Sequence, residues 1–286
     1  MTAAALAPSG RGAVLDHAAS PTRPPLTVLA SLAVILVVLA WSLVPTLFTG
    51  HDPAIGIPDD KFTAPGTRYW LGSDHLGRDL LSRIVHGSAS SMTSALIAVA
   101  IGVVAGGMLG LLGGYLGGWV DAVIGRLVDV LLAIPGFLLA VVVVTALGYD
   151  TRNAAIATGV SAVAVFARLM RSEVLRVRTA VFIEAARVNG GSAAYILRRH
   201  ALPNAVRPVV SLAILQFGIA ILVIAGLAFL GYGDPPPASD WGLLVSDGRE
   251  HLLHAPWLVI APGLVIAVVV LSVSRISRWL DHGRNR

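Results

Sequence analysis

The chain has 286 residues, of which 56% are hydrophobic and 13% charged, and it contains no cysteine. A soluble domain carries roughly 25% charged residues, so ordinary soluble folds, disordered chains and nucleic-acid binders fit this composition poorly. The missing thiols exclude disulfide frameworks, cysteine–zinc sites, iron–sulfur clusters and thiol catalysis. Mean hydropathy is +0.79. The apolar residues form long unbroken runs, not the alternation of a transmembrane barrel, and predict an all-α protein that crosses a membrane several times.

A helix needs ~20 apolar residues to cross the bilayer core. Six segments meet or approach that length: residues 26–48, 92–116, 128–147, 154–170, 209–230 and 256–274. The fourth is short and ends near Arg168, a side chain that can snorkel to the interface. Residues 1–25, rich in Pro, Ser, Ala and Gly, are expected to form a disordered tail. The first apolar segment is too long for a signal peptide. Trp41, Pro45 and Phe48 stand where a small-residue cleavage site would be, so it reads as an uncleaved anchor.

Six spans put both termini on one side. That side holds 15 of the 21 basic residues, eight of them within 168–207, while ten of the 16 acidic residues fall on the other. The positive-inside rule makes the termini and the 168–207 stretch cytoplasmic. The high isoelectric point is thus mostly a topology signal.

In the second span Gly102, Gly106, Gly110, Gly114 and Gly118 recur every four residues and let another helix approach closely. Tight packing within the chain is the expectation taken forward. Subunit contact or helix sliding is the alternative. Arg126 and Asp129 are three apart and predict an ion pair on one helix face. In the fifth span Ser211 and Gln216 stand in an apolar background. Gln216 is expected to make an interhelical hydrogen bond, with a place on a translocation path as the alternative.

Residues 171–188 have no internal Gly or Pro and predict a helix. Asn189, Gly190 and Gly191 end it. Ser192 suits the N-cap of a second short helix, on which Ala193, Ile196 and Leu197 share a face beside Arg198 and Arg199, and Pro203 stops it. The product is a helix–turn–helix elbow presenting small residues and a carboxylate ringed by arginine. On pattern alone, an ordinary surface loop fits as well.

The spacing Glu184-Ala185-Ala186, Gly190, Leu202-Pro203 resembles the EAA loop of ABC importer permeases. Arg199-His200-Ala201-Leu202-Pro203-Asn204 has the form of the peptide-transporter branch, with His200 where many permeases carry an apolar residue. Asn189-Gly190-Gly191 departs from the Leu-Gly-Ala of that branch. Two further segments agree with it. Trp70 to Arg83, with Gly72, Asp74, Gly77, Arg78 and Asp79, resembles the Leu-Gly-Thr-Asp-x-x-Gly-Arg-Asp segment before the second span. Phe229 to Gly242 resembles the Phe-Leu-Gly-x-Gly…Pro-Pro…Trp-Gly stretch after the fifth. The chain is thus similar to the C-type inner-membrane permease subunit of dipeptide/oligopeptide ABC importers (DppC/OppC-like, a binding-protein-dependent transport system).

The resemblance implies a type I importer permease (MetI-like) fold in a bacterial inner membrane. It implies a first anchor at 26–48, an extracytoplasmic segment at 49–91, a permease core at 92–274 with the coupling loop at 171–205, and a cytoplasmic tail at 275–286. The loop would dock on a P-loop ATPase, with Glu184 pairing with a basic group. Ala185 and Ala186 would permit close approach, and Gly190 would supply the bend or merely end the helix. Implied partners are a second homologous permease, one or two ATPases, an extracytoplasmic binding protein and a peptide. The chain has no G-x-x-x-x-G-K-[ST] sequence, so ATP and Mg²⁺ are assigned to the partner ATPases. No cofactor, metal or catalytic residue is assigned to this chain.

Asp74, Arg78 and Asp79 are expected to form local ion pairs holding the outer loop against the second span, with receptor contact as the alternative. His251 and His254, with Glu250 nearby, suit an interfacial loop better than a metal site. Two other classes remain open. An ion-coupled transporter would show inverted repeats and mid-membrane charges. An intramembrane enzyme would need a motif such as H-E-x-x-H or G-x-S-x-G, and neither is present. Within the family, importers of nickel, haem or glutathione are the alternatives to peptide.

Overall fold

The computed structural model describes residues 25–190, 192–196, 198–199 and 202–282. Among them the structure is helical, and the one β pairing is an isolated bridge between Ser73 and Asp79. The expected tail at 1–25 falls almost wholly outside these residues, as do Gly191, Leu197, His200 and the chain's last four residues.

Helix α1 (Leu26–Leu43) is apolar on every side and packs along α11 (Trp257–His282) at the periphery. Val44-Pro45 ends it, because a residue before proline avoids the helical region. Helix α2 (Leu80–Ile101) starts twelve residues before its apolar run. The Asp79 carboxylate fixes that start by accepting the Leu81 and Ser82 N–H groups at 3.2 Å each. It continues through a π-helical turn (Gly102–Gly106) into α3 (Gly107–Leu116), giving 37 helical residues.

The π turn lies where the glycine ladder meets α6 (Thr151–Arg178). A Cβ on Gly102 would lie 2.8 Å from Phe166 Cδ2, and on Gly114 it would lie 3.0 Å from the Arg171 carbonyl oxygen. On Gly106 and Gly110 it would strike the Val163 and Ala167 carbonyls. The ladder therefore packs inside the chain, as expected, but with four members. Gly117 turns the backbone at φ 69°, Gly118 opens the next helix, and its Cβ position faces open space.

The third span is not one helix. Helices α4 (Gly118–Ala133) and α5 (Gly136–Leu147) meet at a 95° bend. Pro135 lacks an N–H and forces Ile134 out of the helical region, to φ −92° and ψ 128°. The expected continuous span at 128–147 ignored that proline. With the bent pair counted as one, the helices long and apolar enough to cross a membrane number six among the described residues.

Helix α6 is the hub, packed against α2, α3, α4, α5 and α9 (Leu202–Phe229). It runs through residue 171 without interruption. The expected helix at 171–188 is instead split at Thr179–Ala180, where the Thr179 hydroxyl turns back to the Arg176 carbonyl at 3.0 Å. Beyond the split lie α7 (Val181–Val188) and α8 (Ala193–Ile196). After α9 come a short helix α10 (Trp241–Gly248), set against α2 and α9, and a long α11 (Trp257–His282). The loop before α2 and α10 form a cap at one end of the bundle. The α6–α9 elbow forms the other.

Candidate functional site

At the elbow end, Val177 of α6, Ile183 of α7 and Ile196 of α8 form a small buried cluster, with Ala180 and Ala186 against it. Ile183 is 1% exposed and pins α7 under the end of α6. Gly190 follows α7 at φ +80°, a left-handed backbone with nothing within 4 Å of a Cβ. A side chain there would be strained but not blocked. Ser192 caps α8 by accepting the Tyr195 N–H at 3.3 Å.

Glu184 is exposed in the first turn of α7, and Ala186 is half-buried. Ala185 lies between them on the same helix. Val181 and Val188, about one turn to either side of Glu184 on α7, are 81% and 83% exposed, and Phe182 and Tyr195 are also exposed at the elbow. Leu202 and Pro203 do not end the second short helix. They open α9, where proline's missing N–H leaves no hydrogen bond unmade.

The cap draws both outer motif segments into one unit. Asp74 accepts N–H groups from Leu76 at 2.8 Å and Arg78 at 3.0 Å, Arg78 Nε at 2.7 Å and Arg83 Nη1 at 2.9 Å. All three side chains of this triad are buried. Burial alone would raise the Asp74 carboxyl. The two N–H groups and two guanidinium groups outweigh it and hold the carboxyl below its ordinary range. Arg83 Nη2 spans to the Ala238 carbonyl at 3.0 Å and to Asp247 at 3.5 Å, tying the loop before α2 to α10.

Gly72 and Gly77 hold left-handed turns at φ 82° and 78°. A Cβ on Gly72 would sit 2.7 Å from Trp257 Nε1, and one on Gly77 would strike the Ile57 carbonyl. Asp79 caps α2 and lies 3.4 Å from His51 Nδ1.

Sequence reasoning left Asp240 and Trp241 without a role. Trp241 is fully buried and donates from Nε1 to the Ile84 carbonyl at 2.9 Å. Asp240 caps α10 through the Gly242 N–H at 2.9 Å and accepts the Ser91 hydroxyl at 2.8 Å. Burial pushes its carboxyl above the usual range. An Asp before Trp-Gly at a helix start was the available signal.

Between the two ends, the charged pairs differ from expectation. Asp129 does not pair with Arg126. It pairs with Arg168 of α6 at 2.6 Å, while Asp121 takes Arg171 through two bonds at 2.5 and 2.7 Å. Helix α4 lies against α6, so interhelical partners outcompete the neighbour along the helix. Gln216 makes no hydrogen bond among the described residues. It lines a cavity of about 330 Å³ beside Gly136 and Phe137 at the α4–α5 bend, with Thr158 and Ser161 opposite. His251 stacks on His75 at 5.5 Å, and no cluster of three metal-ligating side chains occurs among the described residues.

A bundle of membrane-length helices around one long hub, with an elbow between spans four and five, is the architecture of a multi-pass membrane protein. The chain belongs to the family described as binding-protein-dependent transport system inner membrane component, whose model matches residues 102–286. It is 38% identical over 234 residues to the dipeptide transport system permease protein DppC of Alkalihalophilus pseudofirmus, covering 82% of this chain and 77% of that protein. It is 36% identical to the probable D,D-dipeptide transport system permease protein DdpC of Escherichia coli K12, covering 86% and 83%. It is 39% identical to the glutathione transport system permease protein GsiD of Pectobacterium atrosepticum, covering 73% and 69%. The fold is similar to that of the MetNI methionine ABC transporter, with a TM-score of 0.55 at 19% identity over 69% of this chain and 96% of the other. An amino acid ABC transporter structure gives 0.56 at 16% identity over 70% and 93%. The type I importer permease architecture expected from the sequence is the one observed.

Proposed function

We propose that this chain is the membrane permease subunit of an ATP-driven importer of di- and oligopeptides, and that α7 and α8 are its contact with a P-loop ATPase. The observation that carries the reading is the set of exposed apolar side chains on α7 and α8, Val181, Phe182, Val188 and Tyr195, at the same end as exposed Glu184. Clustered exposed apolar side chains at a polar, arginine-rich end mark a protein contact. Glu184 supplies the charge for a basic partner group. The Val177–Ile183–Ile196 cluster makes α7 move with α6, so a push on the elbow reaches the five helices that α6 touches.

The excess of arginine at the elbow end supports a cytoplasmic position for that end and for both termini. The cap then faces the extracytoplasmic binding protein, and the path forms with a second, homologous permease. ATP and Mg²⁺ sit on the ATPase. This chain holds no cofactor and performs no chemistry. Peptide as substrate follows the relatives named for dipeptides. The relatives named for glutathione favour a second reading, a glutathione importer.

The test is co-purification followed by uptake. The tagged chain is expected to bring down a second permease and a P-loop ATPase. Proteoliposomes containing the full complex should accumulate labelled dipeptide only with ATP inside, and excess glutathione should not compete. Uptake that persists without any ATPase would overturn the reading in favour of an ion-coupled transporter.

A further inference from the structure

The hollow of about 330 Å³ that Gln216 lines opens between α2, α5, α6 and α9. That volume is at the low end of small-molecule sites. Both ends of each lining helix fix its depth. On the α2–α3 rod the hollow touches Ala98, the midpoint of Leu80–Leu116. Gln216 stands at the midpoint of α9 (Leu202–Phe229). On α6, Thr158 and Ser161 bracket the midpoint between Thr151, where the helix opens, and Arg168, where the apolar span ends. Gly136 stands at the bend that divides the α4–α5 pair. Four elements, measured independently, put the hollow at the middle of the membrane.

Two observations at that depth exclude lipid from its mouth. The half-buried Gln216 amide makes no hydrogen bond among the described residues, and an unpartnered amide against hydrocarbon is expensive. Beside it, Ile134, Pro135 and Gly136 form an exposed break in the helix. Non-helical backbone is tolerated at membrane depth only against protein or water.

The lining then selects a ligand. Among the described residues that line the hollow, none is charged, so no charged side chain is there to hold a carboxylate, an ammonium or a metal ion. Thr158 Oγ1 donates to the Ala154 carbonyl at 2.8 Å, and Ser161 Oγ donates to the Thr158 carbonyl at 2.7 Å. Their protons are committed, and their oxygens are left as acceptors. Gln216 offers an amide donor from another wall. A trans peptide bond carries its C=O and N–H on opposite sides of one plane. Donor on α9 and acceptors on α6 match that arrangement, on an otherwise apolar surface. A neutral site also suits a passage that substrate must leave as readily as it enters.

We propose that the hollow is a mid-membrane station of the translocation path and binds the peptide bond of a passing short peptide. Gln216 Nε2 donates to the peptide carbonyl, and the Thr158 and Ser161 hydroxyl oxygens accept the peptide N–H. This rests on the peptide-import reading above.

The chain has no cysteine, so Ile219→Cys introduces a single thiol at the lip of the hollow, where Ile219 is 45% exposed. In the assembled transporter, held in nanodiscs, it is expected to react with a membrane-impermeant maleimide, read as a mass shift of this chain. Millimolar Ala-Ala and its N-acetyl amide should each slow the reaction severalfold. The ester analogue alanyl-lactate has the same charges and no peptide N–H, and should protect less. Adding Gln216→Leu should abolish the protection while the complex stays assembled and melts no lower than the parent, since an unpartnered amide is removed. No labelling in any nucleotide state would overturn the proposal, because lipid or protein would then fill the hollow. Protection that survives Gln216→Leu, equal protection by the ester, or none by the N-acetyl amide would each do the same. Loss of the second permease from the Gln216→Leu complex would replace the proposal with a hydrogen bond between permeases. Peptide uptake by the unmodified complex is measured on the same preparation. Its absence would overturn peptide import and this proposal together, whereas uptake without protection would overturn the proposal alone.

Discussion

Arg83 binds Asp74 at 2.9 Å with one guanidinium nitrogen and the Ala238 carbonyl at 3.0 Å with another, across 155 residues of chain. Both partners of the ion pair are nearly inaccessible, so the cap depends on a charge balance sealed from water. Breaking a buried pair typically costs 3–5 kcal/mol, and here the cost is smaller, because Arg78 still neutralises Asp74 while the Ala238 carbonyl loses its donor. Arg83→Met is expected to lower the melting temperature of the purified protein and loosen α10, read as faster amide exchange over Trp241–Gly248. Arg83→Lys should fall between, since an ammonium cannot reproduce a planar fork to two acceptors. An unchanged melt for Arg83→Met would show that the cap does not rely on this residue.

At the other end of the bundle, Glu184 has no ion-pair partner among the described residues, and its helix is pinned by Ile183 instead. Glu184→Lys should therefore insert and melt like the parent while uptake and transport-coupled ATP hydrolysis fall. Ile183→Ala tests the pin itself. It removes a buried side chain, typically costing 2–5 kcal/mol locally, and should uncouple hydrolysis from uptake with Glu184 intact. Normal transport by Glu184→Lys with its partners would remove the coupling role.

The spans and the elbow were legible because both are local. Apolar runs mark spans by length, and the Asn189–Ser192 punctuation marks a turn wherever it falls. What was misread depends on neighbours distant in sequence. Arg126 and Asp129 sit correctly for an i, i+3 pair, yet Arg168 arrives from another helix and takes the carboxylate. Gly118 keeps the spacing of the ladder, but Gly117 has already ended the helix. The two outer motifs read as separate loops. No pattern in either announces that Arg83 joins them. The Pro135 bend was visible as a proline and was overridden by the apolar run around it.

The glycine ladder gives a graded prediction. Gly110 lies flush against the backbone of α6, whereas Gly125 of α4 has nothing within 4 Å of its Cβ position. Gly110→Val should force α3 from α6 and lower both folded yield and melting temperature. Gly125→Ala should be neutral or slightly stabilising, because alanine exceeds glycine in helix propensity by about 1 kcal/mol. Equal effects of the two would mean that the α3–α6 contact is not the ladder's role.

Asp240 gives a prediction in pH. Its carboxyl is raised by burial, with the Ser91 hydroxyl and the N–H groups of α10 only partly opposing. The folded state therefore binds a proton at a pH where the unfolded state has released it. The stability that Asp240 contributes is fully present below its unfolded pKa and is lost as pH rises through its folded pKa. Asp74 acts in the opposite sense. Its lowered pKa contributes stability above the ordinary carboxylate range and loses it in acid. Asp240→Asn keeps an oxygen for the Gly242 N–H and turns an amide N–H₂ donor toward the Ser91 oxygen, with no charge, so its melting temperature should depend less on pH above the ordinary carboxylate range. The variant should match or exceed the parent at the alkaline end of that range, where the parent must either ionise a buried group or keep it protonated against solvent. Parallel melting curves for the two proteins across that interval would show that Asp240 does not titrate there.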